Sequence, residues 1–346
     1  MTTTFAELTT MRVGGPADEF VAVRETAELV EVVKHFDAKK VPVLIMGDGS
    51  NLVVGDAGFR GAAVQVRTSG VVIDGGRVLA DAGALWDSVV VATIESGLGG
   101  LEPLSGIPGS TGATPVQNVG AYGALVSTFL THVTAYDRHD GVVLEIPLND
   151  CGFGSHRKSL FKRNPRYVVL SVGFELPRTG ESQPIAYAGL AQRLDVEVGD
   201  TVSVAALREA VVAMRTERAM VLNPADHDTW SVGSFFVNPV LHEVPARASE
   251  CPKYPDVAGT KLPAAWLIEN AGFPRGYGAD WGNGRVQLSS RHTLAVTNRG
   301  GATTSDVMAF AAHIRDGVEE AFGVRLGPEC DLINCSFDDP PPTVGI

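Results

Sequence analysis

Gly47-Asp48-Gly49-Ser50-Asn51 sets two glycines, a hydroxyl and an amide within five residues, directly after the apolar run 41–46. Uncrowded backbone N–H groups in such a turn can grip an anion, with Ser50 and Asn51 as extra donors. Two nucleotide fingerprints are excluded. A GxGxxG motif would need glycine at 52, where the chain has Leu52, and no GxxxxGK[ST] run occurs. Residues 52–55 are patterned as extended chain, so no helix N-terminus faces a pyrophosphate there. Alone, the five residues also read as a plain tight turn. Ser105-Gly106-Ile107-Pro108-Gly109-Ser110-Thr111-Gly112-Ala113 adds backbone donors and small hydroxyls, and Gln117-Asn118-Val119-Gly120-Ala121-Tyr122-Gly123 adds amides and an aromatic ring. Donor-rich loops without a lysine suit a pyrophosphate held largely by main chain, and the amides suit the edge of a flat heterocycle.

The elements that must position these loops are short and mixed. Residues 26–40 predict a helix capped by Thr26, with Leu29, Val32, Val33 and Phe36 at helical spacing. Strands are predicted over 41–46, 52–54, 62–66, 71–73 and 78–80, then a helix over 84–96 that ends at Gly97. Residues 97–123 hold eight glycines and show no period. A loop of that length is either functional or disordered. Leu101, Leu104, Ile107, Val116, Val119 and Tyr122 argue against disorder, which leaves a ligand-wrapping loop or a purely structural one. Further strands are predicted over 133–138, 142–147, 167–176, 195–198, 233–238, 285–288 and 294–298. Helices follow over 204–218 and 304–322, the second capped by Thr304 or Ser305 and stopped by Gly323. A boundary is placed near 199–200, and residues 338–346 (DDPPPTVGI) read as a disordered tail.

Composition limits the partners. At 346 residues the chain holds two or three domains, and 45% hydrophobic with 20% charged residues excludes disorder, collagen and coiled coil. Gly is the deviation, at 39 residues. Lys+Arg minus Asp+Glu is 28 − 40 = −12, which speaks against general nucleic-acid or anionic-membrane binding. Cys151, Cys251, Cys330 and Cys335 form no CxxC pair, and the eight histidines show no HExxH or clustered spacing, so no metal site is expected. No leader pattern or membrane-length apolar run is expected either, and the reading is a cytoplasmic protein. Residues alone support an α/β ligand-binding protein.

The motifs go further. GDGSN at 47–51, GIPGSTGATPVQNVGAYG at 106–123 and RVGG at 12–15 resemble the flavin-binding half of the UDP-N-acetylenolpyruvoylglucosamine reductases (UDP-N-acetylmuramate dehydrogenases), in the type with a Tyr-loop insertion. The first half is similar to the two-part FAD domains of the vanillyl-alcohol-oxidase/PCMH type. The resemblance runs from about Thr10 to Asn334. It implies an α+β fold: FAD-binding subdomain 1 at 1–60, subdomain 2 at 61–199 with a substrate-capping Tyr segment at 182–195, a smaller α+β substrate-binding domain at 200–325, and a C-terminal segment at 326–346 that returns Glu329 to the active site. It implies FAD bound by Gly47, Gly49, Ser50, Asn51, Gly109, Ser110, Gly112, Ala113, Gln117, Asn118, Gly120, Ala121, Tyr122 and Gly123.

Gly233-Ser234-Phe235-Phe236-Val237-Asn238-Pro239 resembles the family's GSFFxNP strand, which makes Ser234 the proton donor. His156-Arg157-Lys158-Ser159-Leu160-Phe161 is similar to its YRxSxFK segment, which makes Arg157 catalytic. Leu326-Gly327-Pro328-Glu329 is similar to its LxPE, which makes Glu329 the catalytic carboxylate. Tyr187, Arg215, Arg218 and Asn238 carry over as substrate contacts. Trp266 and Leu267 read as core, and Glu269 as either binding or structural. Arg218, Val237, Gly327 and His156 depart from the family pattern, which bears on fine contacts. The implied reaction takes electrons from NADPH into FAD, then moves a hydride from flavin N5 to the enolpyruvyl methylene of UDP-N-acetylglucosamine enolpyruvate, with a proton from Ser234. The implied setting is peptidoglycan precursor synthesis by a monomer or weak dimer, without nucleic acid or membrane. The alternatives are another FAD oxidoreductase built on the same flavin domain and a non-catalytic flavin or sugar-nucleotide sensor.

Overall fold

The computed structural model describes residues 3–154 and 159–337. The chain divides in space into two units, Met1–Asp18 with Gly49–Arg60 and Arg218–Ile346, and Glu19–Asp48 with Gly61–Glu217. The later break thus falls at 217/218, and two early stretches join the late half.

Phe59–Val66, which belongs to the second unit from Gly61 onward, is the middle strand of a three-stranded sheet with Ala17–Val23 and Val43–Met46. Val43–Met46 runs parallel to it, with Val43 opposite Ala62. Helix Thr26–Ala38 buries Leu29, Val33 and Phe36, one face at helical spacing. Its N-cap is Glu25 rather than Thr26, which is already helical. A five-stranded antiparallel sheet follows in the order Val142–Pro147, Leu130–Asp137, Tyr167–Glu175, Arg77–Asp81, Val71–Asp74. Trp86, Val89 and Val90 of helix Trp86–Glu95 join the same core. Helices Ala188–Leu194 and Val204–Glu217 close a separate small core of Ile185, Leu190, Ala191, Leu207 and Val211. The strand expected at 195–198 is absent. Asp195 takes a left-handed conformation that ends helix Ala188–Leu194, and the Val196 N–H turns back to the Ala191 carbonyl.

The first unit is built on helix Thr304–Phe322, whose Val307, Ala311, Ile314 and Val318 are buried. The helix bounds match the expectation, but the cap does not. Thr303 is the N-cap: its hydroxyl accepts the Asp306 N–H at 3.1 Å, and the Asp306 carboxylate accepts the Thr303 N–H at 2.9 Å. The N–H groups of Thr304 and Ser305 go instead to the Asp56 carboxylate, at 2.7 and 2.9 Å. Hairpin Val286–Leu288/Val296–Asn298, hairpin Tyr254–Asp256/Gly259–Lys261 and helix Ala264–Asn270 complete the unit. Leu52–Val54 pairs in parallel with Asp331–Ile333. No helix among the described residues is long and apolar enough to cross a membrane.

Candidate functional site

In the second unit the glycine loops meet. A Cβ on Gly47 would lie 2.0 Å from Ser110 Oγ, so only glycine lets the two loops touch there. The segment 109–112 is laced onto residues 82–86. The Trp86 N–H donates to the Gly109 carbonyl at 3.0 Å, and the N–H groups of Thr111 and Gly112 donate to the carbonyls of Ala84 and Ala82 at 2.8 and 2.7 Å. A Cβ on Gly112 would lie 2.6 Å from that of Ala82. Exposed Ala113 opens the short helix Ala113–Gln117, and Asn118 ends it in a left-handed conformation. A two-stranded hairpin, Gly120–Ala121 with Ala124–Leu125, follows. Its turn residues Tyr122 and Gly123 have φ of 50° and 86°, the positive pair that a two-residue hairpin turn requires. Asp48 is largely enclosed, and burial pushes its carboxyl above the usual range against the pull of Arg67.

That hairpin lies beside Tyr187, whose ring meets Tyr122 edge-on at 5.5 Å between centroids. Tyr187 immediately precedes helix Ala188–Leu194 and stays 38% exposed. The next helix, Val204–Glu217, carries half-buried Arg215 near its end. Arg157 lies outside the described residues. Residues on its C-terminal side are tied to the glycine-loop helix: Ser159 Oγ donates to the Val116 carbonyl at 2.8 Å, and Lys162 Nζ donates to Gln117 Oε1 at 2.9 Å.

In the first unit, Gly49 sits tight against residues 8 and 9, where a Cβ would lie 2.5 Å from the Leu8 carbonyl oxygen. Ser50 is half-buried. Asn51 accepts the Asp331 N–H on its carbonyl at 3.0 Å, while its side-chain Nδ2 is buried with no hydrogen-bond partner among the described residues. An orphaned buried donor is costly unless a ligand accepts from it.

The expected strand over 233–238 is reduced to one antiparallel bridge, Phe236 opposite Pro328. Two hydrogen bonds flank it, Glu329 N–H to the Phe235 carbonyl at 2.9 Å and Val237 N–H to the Gly327 carbonyl at 3.0 Å. Gly233 has φ of 74°, which breaks regular strand on the N-terminal side. The bridge register puts Glu329 opposite Phe235, one position from Ser234, although 95 residues separate Ser234 and Glu329 in sequence. Both are half-buried. Phe337 backs this pairing: its ring stacks on Phe236 at 6.3 Å and lies 4.5 Å under the buried Arg315 guanidinium. Asn238 Oδ1 accepts the Ala264 N–H at 2.9 Å, which commits one end of its amide to helix Ala264–Asn270. Arg218 is exposed. Leu267 is fully buried, Trp266 packs partly into the same core, and Glu269 accepts the Thr293 hydroxyl.

Sequence reasoning passed over three charged residues in the second unit. Glu102 is fully buried, with its Oε2 accepting the Gly100 N–H at 2.5 Å and its Oε1 lacking a partner among the described residues. Burial pushes its carboxyl up, against the N–H groups of residues 102, 100 and 183. Asp87 and Arg208 form a two-point ion pair across 121 residues of sequence. Neither feature carries a local signal.

Two family models match the chain, one described as UDP-N-acetylenolpyruvoylglucosamine reductase, C-terminal domain, over residues 223–333, and one as FAD binding domain, over residues 17–147. The UDP-N-acetylenolpyruvoylglucosamine reductase of Streptomyces avermitilis is 48% identical over 336 residues, covering 93% of this chain and 91% of that protein. The protein of the same name from Nocardia farcinica is 51% identical over 336 residues, covering 94% and 87%. Among solved structures, the UDP-N-acetylenolpyruvylglucosamine reductase of Thermus caldophilus aligns over 96% of this chain and 98% of that one, with a TM-score of 0.64 and 22% identity. At that identity the match speaks for the fold.

Proposed function

The chain belongs to the UDP-N-acetylenolpyruvoylglucosamine reductase family of FAD-dependent oxidoreductases, and from that premise we propose that it reduces UDP-N-acetylglucosamine enolpyruvate to UDP-N-acetylmuramate with NADPH, in cytoplasmic peptidoglycan precursor synthesis. The observation that supports the catalytic assignment is the antiparallel bridge of Phe236 with Pro328, which sets the Glu329 backbone opposite Phe235, one position along from Ser234 and 95 residues from it in sequence.

The residues present fit FAD. Main-chain donors of the 47–51 and 109–113 loops suit the diphosphate, and the amides of Gln117 and Asn118 with the 120–123 turn suit the ring edge. Asn51 Nδ2 is a buried donor without a protein acceptor among the described residues. Bound FAD supplies the two-electron chemistry between NADPH and the enolpyruvyl double bond. Reduction at the methylene leaves negative charge on the neighbouring carbon, delocalised into the carboxylate. Arg157 stabilises that charge, and Ser234 donates the proton that completes the product at the same carbon. Glu329 assists as the neutral acid or through its coupling to Arg157, since an ionised carboxylate beside the developing charge would oppose it. Arg215 and Arg218 hold the diphosphate, Asn238 contacts the substrate with the end of its amide not committed to Ala264, and Tyr187 caps it. Residues 1–60 and 61–199 then serve as the two FAD subdomains, with the cap at 182–195. Residues 200–325 bind substrate, and 326–346 deliver Glu329.

Stopped-flow absorbance tests the reading. In Ser234→Ala, NADPH should still bleach the flavin, while reoxidation by the enolpyruvyl substrate slows by roughly 10²–10⁴. Wild-type reoxidation in this variant removes Ser234 from the role. Reduced wild-type enzyme that reacts with O₂ but not with the substrate would favour a different oxidoreductase.

A further inference from the structure

Asp87 lies in the first turn of helix Trp86–Glu95 and makes two sets of contacts at once. Its Oδ1 accepts the Gly106 N–H at 2.6 Å, at the start of the loop that continues to Gly109 and Ala113. Both its oxygens accept from Arg208, Nη1 at 2.7 Å and Nη2 at 2.8 Å, in a fork-to-fork pair. Arg208 is 24% exposed and Asp87 39%, so the pair is partly shielded and its geometry is specific. Burial pushes the Asp87 carboxyl up, but Arg208, the Gly106 N–H and the charge of Arg215 together hold it below the usual range.

Arg208 and Arg215 share helix Val204–Glu217. Seven residues bring them to the same side, two turns and about 10.5 Å apart. The same helix packs through Leu207 and Val211 on Ile185 and Leu190, the residues that flank Tyr187. One carboxylate therefore grips the glycine loop with one oxygen and, with both, the helix that carries Arg215 and backs the Tyr187 segment.

We propose that Asp87 and Arg208 are positioning residues that fix helix Val204–Glu217, and with it Arg215 and Tyr187, against the flavin loop at Gly106. The proposal rests on the assignment of that loop to FAD and of Arg215 and Tyr187 to the UDP-sugar. A lone surface ion pair would contribute little. Here the same carboxylate also accepts the Gly106 N–H of the glycine loop, so its loss is felt at two binding sites at once.

The experiment compares wild type, Asp87→Asn, Arg208→Met, the double variant Asp87→Asn/Arg208→Met, and Arg208→Lys. Three quantities are read: the FAD dissociation constant of the apoprotein by flavin fluorescence, KM and kcat for UDP-N-acetylglucosamine enolpyruvate in the flavin-saturated enzyme, and the melting temperature. Asp87→Asn should weaken FAD binding and raise KM, each roughly tenfold, with kcat changed much less. Arg208→Met should raise KM by a similar factor. The double variant should be no worse than Asp87→Asn, because the two residues act as one unit. Arg208→Lys keeps the charge but loses the fork, so it should recover only part of the KM loss. Lower melting temperatures with unchanged FAD affinity and KM would overturn the proposal, as would fully additive effects in the double variant. If wild type bleaches with NADPH but does not turn over the UDP-sugar, the substrate reading has failed, and FAD affinity in Asp87→Asn still decides whether the pair positions the flavin loop.

Discussion

Replacing Gly47 by alanine tests the contact on which the proposed cofactor site rests. Gly47 is outside the left-handed region, so alanine there needs only room. The added Cβ would lie 2.0 Å from Ser110 Oγ and 3.0 Å from Ser110 Cβ. Contacts of a real Cβ do not fall below about 3 Å, so the hydroxyl must give way by roughly 1 Å in a site where Ser110 is 3% exposed. Forcing a methyl group into such packing costs about 1–3 kcal/mol. If FAD requires the loops at their present separation, that cost falls on binding and weakens it roughly 5- to 150-fold. Titration of the apoprotein with FAD, followed by flavin fluorescence, measures it directly. Ser110→Gly in the Gly47→Ala background removes the obstructing atoms and should restore most of the affinity. Wild-type affinity in the single variant, or no recovery in the double, would refute the idea that this meeting of loops shapes the site.

Other consequences follow from individual side chains. Arg157→Ala should slow reoxidation of the flavin by the enolpyruvyl substrate by roughly 10²–10³, and more than it slows reduction by NADPH; equal rates in both half-reactions would remove the arginine from charge stabilisation. Arg166 grips Asp137 with Nε at 2.9 Å and Nη2 at 2.6 Å. Those hydrogen bonds hold the Asp137 carboxyl at about 2, against an ordinary 3.8. A carboxyl lowered on folding stabilises above its unfolded value and loses that contribution as pH falls through the folded one. Thermal unfolding of wild type should therefore steepen in acid between about pH 4 and 2, and Asp137→Asn should flatten that limb. Thr303→Ala removes one half of a capping box and should cost about 0.5–2 kcal/mol in urea unfolding, whereas Ser305→Ala, which leaves the box intact, should cost less.

The long helix Thr304–Phe322, the helix Thr26–Ala38 and most strands of the five-stranded sheet were legible because their apolar residues repeat with the period of the element they form. The errors have local causes. Thr304 and Ser305 look like caps because either hydroxyl is chemically suitable, but Asp56, some 250 residues earlier, takes their N–H groups and moves the cap back to Thr303. Residues 195–198 alternate like a strand, yet Asp195 adopts a left-handed conformation to end a helix whose first residue has no capping side chain before it. That helix, Ala188–Leu194, was missed for the same reason, since Tyr187 gives no start signal.

The site divides along the same line. Glycine density was a usable signal because close approach requires the absence of a Cβ, and at Gly47 and Gly112 the structure shows what that Cβ would strike. Ser234 and Glu329, the proposed proton donor and carboxylate, had no such mark. Ser234 is one serine among many until residue 236 is paired with residue 328, and that register is decided by Phe235, Phe236 and Phe337 packing in a core assembled from distant stretches. Resemblance of the GSFFVNP and LGPE motifs supplied what periodicity could not. Asp87 and Arg208 lie beyond both kinds of signal: an acidic residue in a first helical turn is favoured by the helix dipole alone, and an arginine within a helix is ordinary. Only the fold, by bringing residues 87, 106 and 208 together, turns two unremarkable charges into a clasp. Motif thus nominates Ser234 and Glu329, while a contact such as that of Asp87 with Arg208 and Gly106 is legible only in the fold.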